Sequence, residues 1–442
     1  MFPNPQNSLP LPQHPDLEQY KKLAKDLVKA CASRDAAVPR AWASRWIASL
    51  VRLSERMDGQ YPQNPSEQWV ERVEQFARDT LTKSPGEDCT LARAHFVIAR
   101  SHGFPSWPKF ANHLRGLARK SPVSQFEAAA DAIVTGDVST LKQLLRENPG
   151  LARQRSTREH RATLLHYCSA NGVEDYRQKT PKNIAEITRI LLEAGAEVDA
   201  GADVYGGDCT TLGLAATSVY PEKAGVQEEL MQVLLDHGAV MDKPGTTGGR
   251  HSLIRGCLAN GRPGAARWLA EHGAKLDLEG AAGTGRLDVV KTFFDSNGDL
   301  KPPATQQDLQ RGFVWACGCG DEDVVEFLLS HGADLEDDAG SAEPPLHMAV
   351  VGASLSIVKL LIARGAPLEQ LNGYGGTPLG QAGWSFVNGD SDDDYVPIFD
   401  ALLAAGAHIE DSWLAWLDKQ QGRTAEQKAR IAEVLRRYGA KS

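Results

Sequence analysis

The stretch PPLHMAVVGASLSIVKLLIARGA, residues 344–366, decides the fold of this chain. Its second half, LSIVKLL, has apolar residues at the three- and four-residue spacing of an amphipathic helix. Gly365 follows that helix. A glycine suits a helix end because it enters the left-handed backbone region without steric cost. A short helical segment of this kind buries its apolar face against neighbouring copies, so further copies are expected along the chain.

The stretch ends with the phrase LIARGA (361–366), and copies of this phrase occur throughout the second two-thirds of the sequence. They read LLEAGA, LLDHGA, LAEHGA, LLSHGA, LLAAGA and VLRRYGA, with FFDSNGD as a degenerate copy. Their glycines, with that of 344–366, stand at 195, 238, 273, 298, 332, 365, 406 and 439. The successive differences are 43, 35, 25, 34, 33, 41 and 33. The sequence therefore has a period near 33 residues, with insertions and one deletion.

A second phrase lies at the start of many of these units. It reads TLLHYCSANG (163–172), TTLGLAATS (210–218), PPLHMAVVGA (344–353) and TPLGQAG (377–383). This phrase resembles the TPLHxAAxxG signature of the ankyrin repeat family. Nine units begin near residues 126, 161, 210, 252, 277, 311, 344, 377 and 412. The resemblance implies an all-α solenoid in which each unit contributes a β-turn finger and two antiparallel helices. It also implies that His166 and His347 bond a neighbouring turn rather than a metal.

Four departures from the repeat are expected to shape the stack. Extra residues between the two helices of a unit are predicted at 173–186, 217–227 and 385–395, along one edge that becomes a second candidate surface. At 275–278 a finger is missing. The acidic run Asp390, Asp392, Asp393 and Asp394 lacks the glycine and the final acid of a calcium loop. We interpret it as a solvated loop or a patch for a basic partner.

The chain divides into a Pro-rich, extended and mobile leader (1–15), a helical domain (16–123) and the repeat stack (124–442). The middle region predicts a small bundle with helices at 16–32, 38–57, 66–82, 89–101 and 106–119. Its passage LARAHFVIARSHGFPSWPKFANHL (91–114) resembles a segment that precedes the repeats in bacterial ankyrin-repeat proteins. The rival interpretation is a helix-turn-helix. In it, phosphate contacts would come from Lys109, His113, Arg115, Arg119 and Lys120.

Composition and charge narrow the possible environments and partners. The net charge of −9 combines +6 over residues 1–123 (18 Lys+Arg, 12 Asp+Glu) with −15 over the remainder. The acidic repeat region is therefore a poor nucleic-acid binder. Seven scattered cysteines favour a reducing compartment over a disulfide framework. We find no secretory signal and no apolar run long enough to span a membrane, and we expect a cytoplasmic monomer.

The sequence does not show a catalytic constellation. It has no phosphate loop of the GxxxxGK[ST] type, no HExxH helix and no GxSxG elbow. Cys317 and Cys319 lack the further ligands of a zinc site. The histidines of the HGA phrases (237, 272 and 331) are expected at helix C-termini, in structural roles. We predict a protein that is not an enzyme and that needs no metal and no cofactor.

The resemblance implies binding through the finger tips and the exposed face of each first helix. Carried to this sequence, it selects Tyr205, Arg250, His251, Asp337, Asp338, Tyr374 and Trp384. The competing interpretation is that a finger tyrosine packs along its neighbour. We therefore predict a scaffold that binds an unidentified protein. The alternative is a DNA-associated regulator that uses the basic helical domain while the repeats recruit a partner.

Overall fold

The computed structural model describes residues 4–440 except 13, 34, 36, 55–64, 82–88, 244–251, 390–393, 411 and 421–422. The described residues are helical, and their β-structure is limited to isolated bridges. The chain forms two compact units, Met1–Gly256 and Cys257–Ser442. Among the described residues, no helix has the length and hydrophobicity needed to cross a bilayer.

The first unit begins with five helices, which confirms the predicted helical region. They are α1 (Leu17–Ala32), α2 (Ala37–Ser54), α3 (Pro65–Leu81), α4 (Leu91–Ser101) and α5 (Trp107–Leu117). Asp16 caps α1 by accepting a hydrogen bond from the Glu18 N–H. Gly103 follows α4 with a φ of 80°. The core between these helices includes Trp42, Trp46 and Phe110, which are almost fully buried.

The leader has a defined position on these helices. Pro5–Asn7 form a 3-10 helix, and Leu9 is 2% exposed. The Leu9 N–H donates to the Ser101 carbonyl (2.8 Å), and the Leu9 carbonyl accepts from His102 Nδ1 (3.0 Å). The extended leader expected from its prolines is therefore replaced here by a docked segment, because Leu9 gains a buried site.

Three repeat units follow in the first compact unit. Their helices are α6 (Pro122–Thr135), α7 (Val138–Glu147), α8 (Leu164–Tyr167), α9 (Ile184–Glu193), α10 (Thr211–Thr217), α11 (Val219–Lys223) and α12 (Gln227–Asp236), with 3-10 turns at Pro149–Arg153 and Asp175–Arg177. The insertions at 173–186 and 217–227 lie between paired helices, as predicted. Only Asp175, Lys182 and Glu186 of the first insertion are exposed, however, so it offers less surface than the sequence suggested.

The second unit continues the helix pairs, with the division between the units falling inside α13. The helices are α13 (Leu253–Ala259), α14 (Pro263–Glu271), α15 (Leu278–Gly283), α16 (Leu287–Val290), α17 (Gln306–Cys319), α18 (Glu322–Ser330), α19 (Pro345–Val351), α20 (Leu355–Ala363), α21 (Pro378–Asn388), α22 (Val396–Ala404), α23 (Trp413–Lys419) and α24 (Ala425–Arg437), and a 3-10 turn spans Lys291–Phe293. Asp277 caps α15 directly after α14, which agrees with the predicted loss of a finger.

One local prediction for the second unit was wrong. Residues 385–388 were predicted as loop, but they extend α21 because Ser385 and Phe386 are buried on it. In the degenerate unit, α16 ends at Val290 and the 3-10 turn Lys291–Phe293 follows it directly. Just beyond it, the Asp295 carboxylate accepts the Asn297 and Asp299 N–H groups, which closes a turn where the helix would otherwise continue.

The helix-ending glycines behave as predicted. The eight glycines of the recurring phrase all have φ between 86° and 102°. The histidines that precede three of them cap the same helix ends. Nδ1 of His237, His272 and His331 bonds the carbonyl four residues earlier, at 2.7–2.8 Å. These side chains satisfy carbonyls that the helix itself leaves without a partner.

Candidate protein-binding face

Two neighbouring fingers of the second unit are joined by backbone and side-chain hydrogen bonds. The Gly373 N–H donates to the Ala342 carbonyl (2.7 Å), and Gln370 Nε2 donates to the Glu336 carbonyl (2.7 Å). A side chain at Gly373 would lie within 2.5 Å of the Ala342 Cβ, so the close approach requires glycine. The fingers therefore form one fixed surface, which we call the finger surface (residues 334–343 and 367–376).

Glutamine and asparagine side chains hold the bases of these fingers. Gln310 Nε2 donates to the carbonyls of Asp334 and Asp337, both at 2.7 Å. Asn372 Nδ2 donates to Glu343 (3.0 Å) and to Gln381 (3.1 Å). Buried amides of this kind orient the loop without adding charge. The finger tips can then present other side chains in a fixed arrangement.

The predicted residues Asp337 and Asp338 lie in the turn of the first finger. Asp337 accepts the Ala339 N–H and Asp338 accepts the Gly340 N–H, both at 2.8 Å. Each carboxylate thus stabilises its own turn through one oxygen. None of the finger-surface carboxylates forms an ion pair with a described residue; they belong to Asp334, Glu336, Asp337, Asp338, Glu343 and Glu369. The finger surface is therefore acidic and not internally neutralised.

The predicted aromatic residues are the most exposed rings of the second unit. Tyr374 is 82% exposed at a finger tip, next to Leu371, which is 60% exposed. Trp384 is 59% exposed on α21, in a helix whose other faces are buried. Tyr374 therefore extends from the finger surface, and Trp384 presents a second exposed ring on α21, the helix that follows this finger in the chain.

In the second compact unit, small residues bring the first helices of successive repeats close together. A Cβ at Gly283 would lie 3.1 Å from the Trp315 Cβ, and one at Gly318 would lie 2.6 Å from the Met348 Cε. A Cβ at Gly383 would lie 2.9 Å from the Trp413 ring. Trp315, Met348 and Trp413 are all partly exposed. We call these partly exposed apolar side chains on the first helices, together with the exposed Trp384, the helix-1 row.

Three sequence-predicted site residues have a different status. Tyr205, in the first unit, is 47% exposed, and its hydroxyl donates to Asn171 Oδ1 (2.9 Å) and accepts from Gln6 of the leader. The Tyr205 hydroxyl is therefore occupied by hydrogen bonds within the protein. Arg250 and His251 lie outside the described residues, as do Asp390, Asp392 and Asp393. The neighbouring Asp394 pairs with Arg430 at 2.6 Å.

One phosphate contact proposed for the DNA alternative is contradicted. His113 is 1% exposed, and its Nδ1 bonds the Thr157 hydroxyl (2.7 Å). Burial is the main reason that the pKa of His113 falls to about 4, with a further contribution from the Arg158 guanidinium. Because the ring is buried and neutral, it is unable to contact a phosphate. Among the described residues, no group of His, Cys, Asp and Glu could hold a metal ion.

Sequence reasoning missed a buried ionic cluster in the first unit. Arg158 bonds Glu127 (2.6 Å) and Glu174 (2.7 Å), and Arg177 bonds the other oxygen of Glu127 (2.8 Å) and Asp131 (2.7 Å). Burial alone would raise the pKa of Glu127, but the two guanidiniums outweigh it and lower that pKa to about 2. In the sequence these residues are charges in a helix, a finger and an insertion, which predict solvated side chains.

This cluster has a structural role in the geometry observed. It joins α6, the finger before α8 and the insertion at 173–186, and the Arg158 guanidinium lies 5.5 Å from the centre of the Phe104 ring. His160 accepts the Ala162 N–H at Nδ1, so its Nε2 carries the hydrogen that points to Glu174 (3.4 Å). Since the Arg158, Glu174 and His160 side chains are at most 2% exposed, we place partner binding on the finger surface instead.

The repeats match a known family model. Residues 278–372 and 313–412 match the model for ankyrin repeats (three copies). Residues 278–412 are therefore a segment of ankyrin repeats. The chain is also similar to the ankyrin repeat protein nuc-2 of Neurospora crassa, with 24% identity over 287 residues. That alignment covers 63% of this chain and 25% of the relative. The chain therefore corresponds to about a quarter of that protein's length.

A solved ankyrin-repeat structure has a weaker similarity to this chain. The crystal structure of the human ASB11 ankyrin repeat domain has 21% sequence identity and a TM-score of 0.33. The match covers 64% of this chain and 99% of that domain.

The signature histidines of the ankyrin repeats take the role that the resemblance implied. His166 Nε2 donates to the Cys209 carbonyl (3.2 Å), and His347 Nε2 donates to the Gly376 carbonyl (2.9 Å). Each ring bonds the turn of the following unit. In the unit that begins with α17, Gln310 occupies the equivalent role with its side-chain amide. Ankyrin repeats generally mediate protein–protein interaction, and proteins of this family are generally not enzymes.

Proposed function

We propose that this ankyrin-repeat protein is a non-enzymatic scaffold of the cytoplasm. It binds a protein partner through the finger surface and the helix-1 row of the second unit. The observation that carries the proposal is the pairing of exposed rings, Tyr374 and Trp384, with a finger surface that carries unpaired carboxylates. Large aromatic side chains of this kind dominate the energetics of protein interfaces.

The chemistry of the surface favours one kind of partner. The fingers supply the carboxylates of Asp334, Glu336 and Asp337, all exposed, with no ion pair to a described residue. A partner segment with Lys or Arg beside aliphatic or aromatic anchors would pair with the carboxylates and cover the rings. Electrostatic complementarity would speed association, and the apolar anchors would slow dissociation.

The test is selection of a peptide ligand. A random peptide library displayed on phage is selected on the full chain, and each recovered peptide is measured by fluorescence anisotropy. Trp384→Ala or Tyr374→Ala should raise its Kd by about thirtyfold, because a truncated interface anchor costs about 2 kcal/mol. Asp337→Asn with Asp338→Asn should raise Kd less and should reduce its dependence on salt.

Tyr438→Ala provides the matched control. Tyr438 is an aromatic residue of the same unit, 36% exposed at the end of α24, and it is not part of the finger surface. Its replacement should leave the Kd unchanged. The proposal fails if the recovered peptides bind the Trp384→Ala and Tyr374→Ala variants as tightly as the Tyr438→Ala variant, with all melting temperatures alike.

A further inference from the structure

A cavity of about 480 Å³ lies in the helical region of the first unit. Residues of α1 and α2 line it, and the leader contributes Pro12 and His14. Its apolar lining consists of Tyr20, Leu23, Trp42, Trp46 and Leu50. Ligand sites in proteins commonly have volumes of about 300–1,000 Å³ and linings dominated by aromatic and aliphatic side chains.

Positive charge predominates at the edge of this cavity. Lys22 and Arg45 line it, and both are exposed. Neither forms an ion pair with a described residue. The lining also includes one carboxylate, Asp26, and its oxygen lies 3.8 Å from Lys29 Nζ. Two cations thus face the cavity without a partner, while the one acid is offset by a lysine of its own helix.

We propose that this cavity binds a small organic acid whose carboxylate is attached to an apolar body. The apolar body would occupy the lining formed by Tyr20, Trp42 and Trp46. The carboxylate would pair with Lys22 and Arg45 at the edge of the cavity. Cations at a partly exposed edge attract an anion most strongly when apolar walls keep water from one side.

The docked leader is part of the proposed site. Pro12 and His14 reach the cavity because Leu9 is anchored to Ser101 and His102. A bound acid would contact both the leader and the helices. Ligand binding should therefore protect the leader from proteolysis, since a ligand that binds only the docked state stabilises that state.

The proposal is tested on the full chain with three probes of equal size. They are 3-phenylpropionate, its neutral amide and 3-phenylpropylamine, and binding is followed by isothermal titration calorimetry. We expect the carboxylate to bind and the amide and amine to bind at least tenfold more weakly. In Lys22→Ala/Arg45→Ala the Kd of the carboxylate should rise about tenfold, because each exposed charge pair contributes up to about fivefold.

Lys25→Ala is the matched control, because Lys25 is an exposed lysine of the same helix that does not line the cavity. It should bind the carboxylate like the wild type. Equal affinity for carboxylate and amide would overturn the proposal, as would wild-type affinity in the folded double variant. Loss of binding in Lys25→Ala to the same extent as in the double variant would also overturn it.

Discussion

Removal of one charge from the buried ionic cluster should open the insertion at 173–186. Glu174 is fully buried, and Glu174→Gln keeps its shape and one acceptor oxygen. Before the change, Arg158 and Arg177 face the buried carboxylates of Glu127 and Glu174, with half-exposed Asp131 at the edge. After it, two buried guanidiniums share Glu127, so one positive charge loses its buried partner.

The expected cost follows from that imbalance. Removal of one partner of a buried ion pair destabilises proteins by about 3–5 kcal/mol, and the conserved shape of glutamine places this change near 3 kcal/mol. That corresponds to a change of about a hundredfold in an opening equilibrium. Native-state hydrogen exchange with mass spectrometry, read on peptides from 170–193, should show protection reduced by about this factor.

Glu159→Gln is the control for this experiment. Glu159 is the residue after Arg158, and its ion pair with Arg100 is partly exposed, with the glutamate side chain 47% accessible. An exposed pair contributes at most about 1 kcal/mol, so protection should change less than about fivefold. Equal protection in Glu174→Gln and Glu159→Gln would refute the assignment of the cluster as the element that holds the insertion.

Three further outcomes are expected. Gly365→Ala should lower the urea midpoint of unfolding by an amount equivalent to about 1–2 kcal/mol, because φ at Gly365 is 89°. Gly264→Ala should not lower it, because Gly264 lies in α14 and an added Cβ would meet no atom within 4 Å. Equal shifts in the two variants would contradict the explanation from the backbone angle. The melting temperature should fall as pH drops from about 6.5 to 4. Burial lowers the pKa of His102 to about 3 and that of His166 to about 4, so the unfolded state takes up protons at a higher pH than the folded state does. A melting temperature that stays constant from pH 7 to pH 4 would contradict this expectation. Leu9→Ala should expose the leader to protease, because it costs the docked state about 2–3 kcal/mol. Leu11 is only partly buried, so the leader should be cleaved more slowly in Leu11→Ala than in Leu9→Ala. Equal cleavage of the two variants would show that Leu9 is not the anchor.

Helix positions and repeat boundaries could be predicted because they depend on local patterns. The period near 33 residues and the glycines after each second helix are visible in the sequence and confirmed by φ values between 86° and 102°. The five N-terminal helices followed from caps and apolar spacing in the same way. A division of domains at residue 123 remains a prediction.

The candidate binding residues could be predicted only in part. Tyr374 and Trp384 are exposed as the repeat pattern suggested, because their neighbours in each unit fill the core positions. Which of them bind a partner stays a prediction. The exposed face of each first helix was expected, but the close packing of successive first helices was not, because a glycine such as Gly318 acquires meaning only when Met348 of the next repeat is placed against it.

Residues that are close in sequence decided the helices, since a helix depends on spacing of three or four positions and on the residue that ends it. Contacts between distant residues decided the rest. Glu127 and Arg177 are 50 positions apart, and Leu9 and His102 are 93 apart. A charged residue in a loop predicts a solvated side chain until folding brings an opposite charge to it and excludes water. For that physical reason the ionic cluster, the docked leader and the cavity beside it are properties of the tertiary structure alone.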